Sequence, residues 1–187
     1  MKAYTFQQWS DLKALCVAAA IEIVVGQGWA MLSVRNVGDR IGRSGTAIQR
    51  IFPGIALKRE VIDAAFDELL IALLPFTEAE PPPLANLYRT ILAHLRREHG
   101  VPPLVLQVMA QLGAGGGEAD AVAQVVADAR GATIVRLDHV LGAVAAAGGT
   151  RAPDPRRLMR WYVAACCLIA TDSPDDAELL EMAGTAA

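Results

Sequence analysis

The chain has 187 residues, of which 53% are hydrophobic and only 5% aromatic, so its apolar content is mostly Ala, Leu and Val, a composition that favours helices over sheet and suffices for a buried core. A net charge of -3 excludes a polycation built to coat nucleic acid, and no run reaches the roughly 18 uninterrupted apolar residues of a membrane span. Basic charge is concentrated at one end: residues 1–60 hold eight Lys and Arg against four Asp and Glu, and the other 127 hold nine against sixteen.

In chain order, a first helix is predicted from about Trp9 to Val25, with Leu12, Leu15, Cys16, Ala19 and Ile23 on one stripe and Gly26-Gln27-Gly28 as its stop. It contains Asp11, Lys13 and Glu22, which argues for a buried amphipathic helix and against a signal-peptide core. Ser33 is a predicted N-cap for a short helix through Val34, Val37 and Ile41 ending at Gly42, and Ser44 caps another through Ile48 and Ile51 to Phe52. Pro53-Gly54 turns the chain. A helix of about five turns then carries Leu57, Val61, Ile62, Ala65, Phe66, Leu69, Leu70 and Leu73, closed by Pro75 and the stiff connector Pro81-Pro82-Pro83. Next come a helix over 84–99 and a shorter one after Pro102-Pro103 that ends in the Gly-rich loop 113–117. A long helix over 118–147 stops at Gly148-Gly149, and a last main helix runs from Pro155 to about Thr171. The tail from Ser173 holds one weak acidic helix start at Pro174-Asp175.

Residues 33–54 are where the chain becomes informative. A helix-turn-helix needs a short helix that buries one face, a Gly-tolerant turn, and a second helix whose N-terminal residues enter the major groove. Val34, Val37 and Ile41 supply the first face, Gly42 the turn, and Ile48 with Phe52 the anchors of the second helix. Arg43, Ser44, Gly45, Thr46, Gln49 and Arg50 are left pointing outward, small or polar and suited to phosphates and base edges.

Over residues 12–66 the chain resembles the TetR family of transcriptional regulators. The likeness is carried by Ala19-Ala20, Gly28-Trp29, Ser33-Val34-Arg35 with Val37, Gly42 before Ser44, and Arg50 with Phe52-Pro53. The resemblance implies an all-α fold with a three-helix DNA-binding head (residues 1–54) and a helical ligand-binding and dimerisation body (residues 55–187). It implies contacts to double-stranded operator DNA from Ser33, Arg35, Arg43, Ser44, Gly45, Thr46, Gln49, Arg50 and Lys58, with Lys58 and Arg59 placed to replace a charge the family has at position 55. Where the family has Lys, Gly, Thr, a hydrophobe and Tyr, this chain has Gly45, Thr46, Ala47, Ile48 and Gln49, so two customary phosphate contacts are missing.

The apolar helices of the body are core first. The resemblance implies that part of them lines a pocket for a small apolar or amphipathic ligand, with Tyr88, Leu92, His94, Leu106, Met109 and Trp161 as candidates because they mix bulk with polar handles. Stripes on the last two long helices, Leu137, Val140, Leu141 and Val144 with Leu158, Tyr162, Ala165 and Ile169, are expected to build a homodimer through a four-helix bundle. The expected function is a ligand-responsive repressor in which the helix over 56–74, touching both halves, transmits the change. The alternative is a TetR-like accessory protein that binds a lipid or small molecule without an operator, as in the lipid-binding protein of coenzyme Q synthesis.

Catalytic and metal chemistry is not expected. His94 and His99 are five apart, off one helical face, His139 stands alone, and no Ser, His and Asp fall in a nucleophile elbow. Residues 113–117 lack the Lys-Ser/Thr ending of a phosphate-binding loop. Three cysteines, two adjacent at 166 and 167, form no disulfide framework, which fits a reducing, cytoplasmic setting without cofactor or membrane; a thiol sensor requires Cys166 or Cys167 to reach solvent.

Overall fold

The computed structural model describes residues 6–78, 82–113, 117–147, 151–172 and 174–184. Among these every regular element is helical: α1 (Phe6–Gln27), α2 (Val34–Ile41), α3 (Gly45–Ile51), α4 (Ala56–Ala72), α5 (Leu87–Arg97), α6 (Val101–Ala110), α7 (Glu118–Ala147), α8 (Pro155–Thr171) and α9 (Asp176–Met182). Short 3-10 turns at Trp29–Met31, Leu74–Thr77, Leu84–Asn86 and Gln111–Gly113 join them. No helix among the described residues is long and apolar enough to cross a membrane.

Local chemistry sets most of the boundaries. The Ser33 hydroxyl accepts from the Asn36 amide at 3.1 Å and the Ser44 hydroxyl from the Ala47 amide at 3.2 Å, each satisfying a helix-start donor that has no partner within its own helix. Asp154 does the same for α8, accepting from Arg156 N at 2.9 Å, with Pro155 in the first helical position, and Asp175 caps α9. Gly42 ends α2 in the left-handed region at φ 68°.

The prolines at 102 and 103 behave differently from the expectation that α6 begins after them. They lie inside its first turn, where a missing amide hydrogen costs nothing because no carbonyl precedes it to accept. The expected helix over 84–99 is shorter, entered by a 3-10 turn and ending at Arg97. The Gly148-Gly149 stop, Pro81, residues 114–116 of the Gly-rich loop and Ser173 lie outside the described residues.

One continuous apolar cluster runs from Cys16 in α1 to Ala183 beyond α9. α4 is central to it. Leu57 sits at its head end, while Val61, Ile62, Ala65, Phe66 and Leu69 are fully covered, and α4 packs against α1, α5, α6 and α7.

Candidate functional site

The expected helix-turn-helix residues come together as α2 and α3. Val37 and Ile48 are fully buried and Phe52 nearly so, while Val34 and Ile41 pack half-buried against the same cluster. The Lys13 ammonium lies 5.6 Å from the centre of the Phe52 ring and 2.8 Å from Glu60, so α1 clamps the end of α3 to the start of α4. Arg40 reaches Glu22 at 2.6 Å, and Asn36 donates from its side-chain amide to Met31 O at 2.7 Å, tying α2 to α1 and to the preceding turn.

Gly38, which sequence reasoning passed over, makes the close crossing possible. A Cβ at this position would lie 2.6 Å from Arg43 O and 3.1 Å from Gly45 N, both backbone atoms that cannot step aside, while Arg43 N donates to Gly38 O at 2.8 Å. The available signal was a glycine in the middle of a short helix, where it costs about 1 kcal/mol of helix propensity and so calls for a packing reason. Gly45 is a milder case, its Cβ position 3.3 Å from Arg35 Cα, so the two helices also touch at the start of α3.

Around this crossing Ser33, Arg35, Arg43, Ser44, Thr46, Gln49 and Arg50 are all exposed, with Gly45 half-buried among them. Arg35 approaches Asp39 only at 3.9 Å with both side chains largely in solvent, a contact worth little. Arg43 and Arg50 have no carboxylate partner among the described residues, so this end of the molecule presents free guanidinium groups. Lys58 is separate from them. Its side chain is 23% exposed and its ammonium is 2.7 Å from Glu118 at the start of α7, so its charge is spent on joining α4 to α7.

The body presents a different picture from the expected pocket. Tyr88 and Trp161 meet edge to face at 4.9 Å, Trp161 Nε1 donates to Leu179 O at 2.7 Å, and Leu92, one turn along α5 from Tyr88, is buried. His94 is buried between Glu68, 2.9 Å from its Nε2, and Arg97, 3.1 Å from its Nδ1. The ring is thus held from both nitrogens and ties α4 to α5. Leu106 and Met109 are half-buried on α6. Surface recesses of about 580, 360 and 480 Å³ lie elsewhere, lined by none of the six.

Five of the eight residues expected at a dimer interface are consumed within one subunit. Leu137, Leu141, Leu158, Tyr162 and Ala165 are at most 1% exposed, and the Tyr162 hydroxyl donates to Ala65 O of α4 at 2.9 Å. A helical stripe reports that a face is covered, and here the cover is the same chain. Val140, Val144 and Ile169 remain half-buried.

Comparison with known protein families and with curated proteins found no match to this chain.

The three thiols are free. Cys16 and Cys166 are fully buried, and burial pushes both thiols above the ordinary range, Cys166 the furthest, with the neighbouring Cys167 adding to the rise. Cys167 is half-buried and also raised by desolvation. A raised pKa means less thiolate, the opposite of what a reactive sensor needs. At about pH 7.5 a thiol reagent such as DTNB is expected to modify Cys167 alone, and slowly, in the native protein, with Cys16 and Cys166 reacting only after denaturation; fast reaction of more than one thiol in the folded chain would contradict the packing around α8.

Proposed function

We infer that the chain is a DNA-binding transcriptional regulator of TetR-like design, a homodimeric and cytoplasmic repressor whose operator affinity is set by a small apolar or amphipathic ligand. The observation that carries this reading is the α2–α3 pair: two capped short helices crossing at Gly38, with Arg43, Thr46, Gln49 and Arg50 exposed and both arginines free of carboxylates. Arginine suits bidentate contact with phosphate or guanine, and Gln49 suits adenine. Two heads on one duplex would multiply a modest single-head affinity, which is the physical case for a dimer, and the partly open Val140, Val144 and Ile169 leave apolar surface for a second copy.

A second reading, a ligand-binding accessory protein that has lost operator binding, is favoured by one observation. Lys58, one of the two basic residues at the start of α4 placed to replace a missing family charge, is engaged by Glu118, which leaves Arg59 alone for that role.

Fluorescence-anisotropy titration of the full chain with duplex DNA from upstream of its own gene, at about 50 and 200 mM salt, separates the two. Salt-sensitive binding is expected, with Arg43→Ala/Arg50→Ala lowering the slope of log K against log salt by about two, roughly one per lost phosphate contact. Weak binding that ignores both substitutions would sink the regulator and leave the accessory protein.

A further inference from the structure

The geometry points to a binding site for a single-chain amphipathic anion, an aliphatic carboxylate of fatty-acid type, in the surface recess between α7 and α8. This goes beyond the regulator reading and does not depend on DNA binding. The recess is about 480 Å³, within the roughly 300–1,000 Å³ typical of small-molecule sites. Its walls are apolar, with Ile134 from α7 and Val163 and Ala164 from α8, over the buried Met159. Its rim is cationic: Arg130 from α7 and Arg156 and Arg160 from α8.

Charge selects the ligand. Residues 61–187 hold nine basic residues against sixteen acidic ones, yet three of those nine surround this one recess. In the body Arg96 pairs with Asp176, Arg97 with Glu98 and Arg136 with Asp67; the three rim arginines, like Arg89, Arg151 and Arg157, have no carboxylate partner among the described residues, and they alone of these line one recess. The acids nearest them in sequence are spent, Asp154 on capping α8 and Asp128 on Gln124. Arg156 and Arg160 are also one turn apart on one helix, where like charges oppose each other and a bound anion relieves the strain.

A carboxylate can take two guanidinium donors in bidentate fashion while an alkyl chain lies on Ile134, Val163 and Ala164. A second copy of the chain fits less well at this place. A two-fold pairing over the recess would gather six guanidinium groups into one interface with no acidic residue lining it.

Isothermal titration calorimetry of the full chain at about 50 mM salt with decanoate, 1-decanol and decyltrimethylammonium tests the assignment. One decanoate per chain is expected, at least tenfold tighter than the neutral or cationic analogue. Arg130→Gln/Arg160→Gln should weaken decanoate at least tenfold without lowering thermal stability, since both side chains are exposed and without a carboxylate partner among the described residues. Ala164→Trp, which fills the recess and leaves the arginines in place, should abolish binding. Equal affinity for all three amphiphiles, or decanoate binding untouched by both variants, overturns the proposal. So does a chain that takes up no decanoate while sedimentation velocity shows self-association that the double arginine substitution disrupts, an outcome assigning the recess to a second copy.

Discussion

Trp161→Ala is expected to lower stability by about 3–5 kcal/mol, the cost of emptying a buried aromatic site that its surroundings cannot refill. The ring is 4% exposed, stands edge-on to Tyr88 at 4.9 Å, and its Nε1–H is the donor to Leu179 O. Removing it opens a void between α5 and α8 and leaves a carbonyl unsatisfied in the same stroke. Trp161→Phe keeps most of the ring contact and loses the hydrogen bond, so about 1–3 kcal/mol is expected from it. Thermal denaturation distinguishes these outcomes, since each kcal/mol moves the midpoint of a chain this size by about 2–4 °C. The same pair of variants examines the interior as a ligand site: a native pocket there would make Trp161→Ala nearly neutral, because no packed volume would be lost.

Gly38→Ala is expected to cost at least about 1–3 kcal/mol, the range for overpacking, and to act chiefly on the head. The added methyl meets Arg43 O at 2.6 Å, a distance that real Cβ contacts do not show, so α2 and the turn must separate. Since α3 is held to α2 through that turn, the positions of Arg43 and Arg50 shift with it. On the proposed regulator reading, loss of DNA affinity is therefore expected alongside loss of stability, although residue 38 faces inward. Gly142→Ala is the control. Gly142 lies within α7 with nothing inside 4 Å of its Cβ position, so the same change there should stabilise the chain by about 0.5–1 kcal/mol. If Gly38→Ala matched this control, the tight crossing of α2 and α3 would be wrong.

These two sites also mark what the sequence could and could not convey. Ser33, Ser44 and Gly42 act within three or four residues of themselves, so caps and turn were legible, as were Val37, Ile48 and Phe52 by their spacing. The all-helical class followed from the same local rules. The partners of Tyr162, Trp161 and Lys58 lie 97, 18 and 60 residues away, and periodicity does not name them. A buried stripe looks the same whether another helix of the chain, a second copy or a ligand covers it. For that reason Leu137, Leu158 and Ala165 read as interface and turned out to be core, while the half-exposed Val163 and Ala164 drew no notice. The arginines around the recess were invisible as a group because Arg130 and Arg160 lie 30 residues apart on different helices.

The placement of α4 sets how small a movement in the body matters at the other end. Its 17 residues make a rod of about 25 Å at 1.5 Å per residue. Tilting that rod by about 5° around its body end would carry the Leu57 end about 2 Å, several times the roughly 0.5 Å spread of hydrogen-bond lengths. Lys58 and Glu118 at one end, and Asp67 and Arg136 further along, fasten the rod to α7 at two points. Because the buried face of α4 also packs along α7, these two ion pairs reinforce a join that the core already makes, and a shift of α7 is felt along the whole rod.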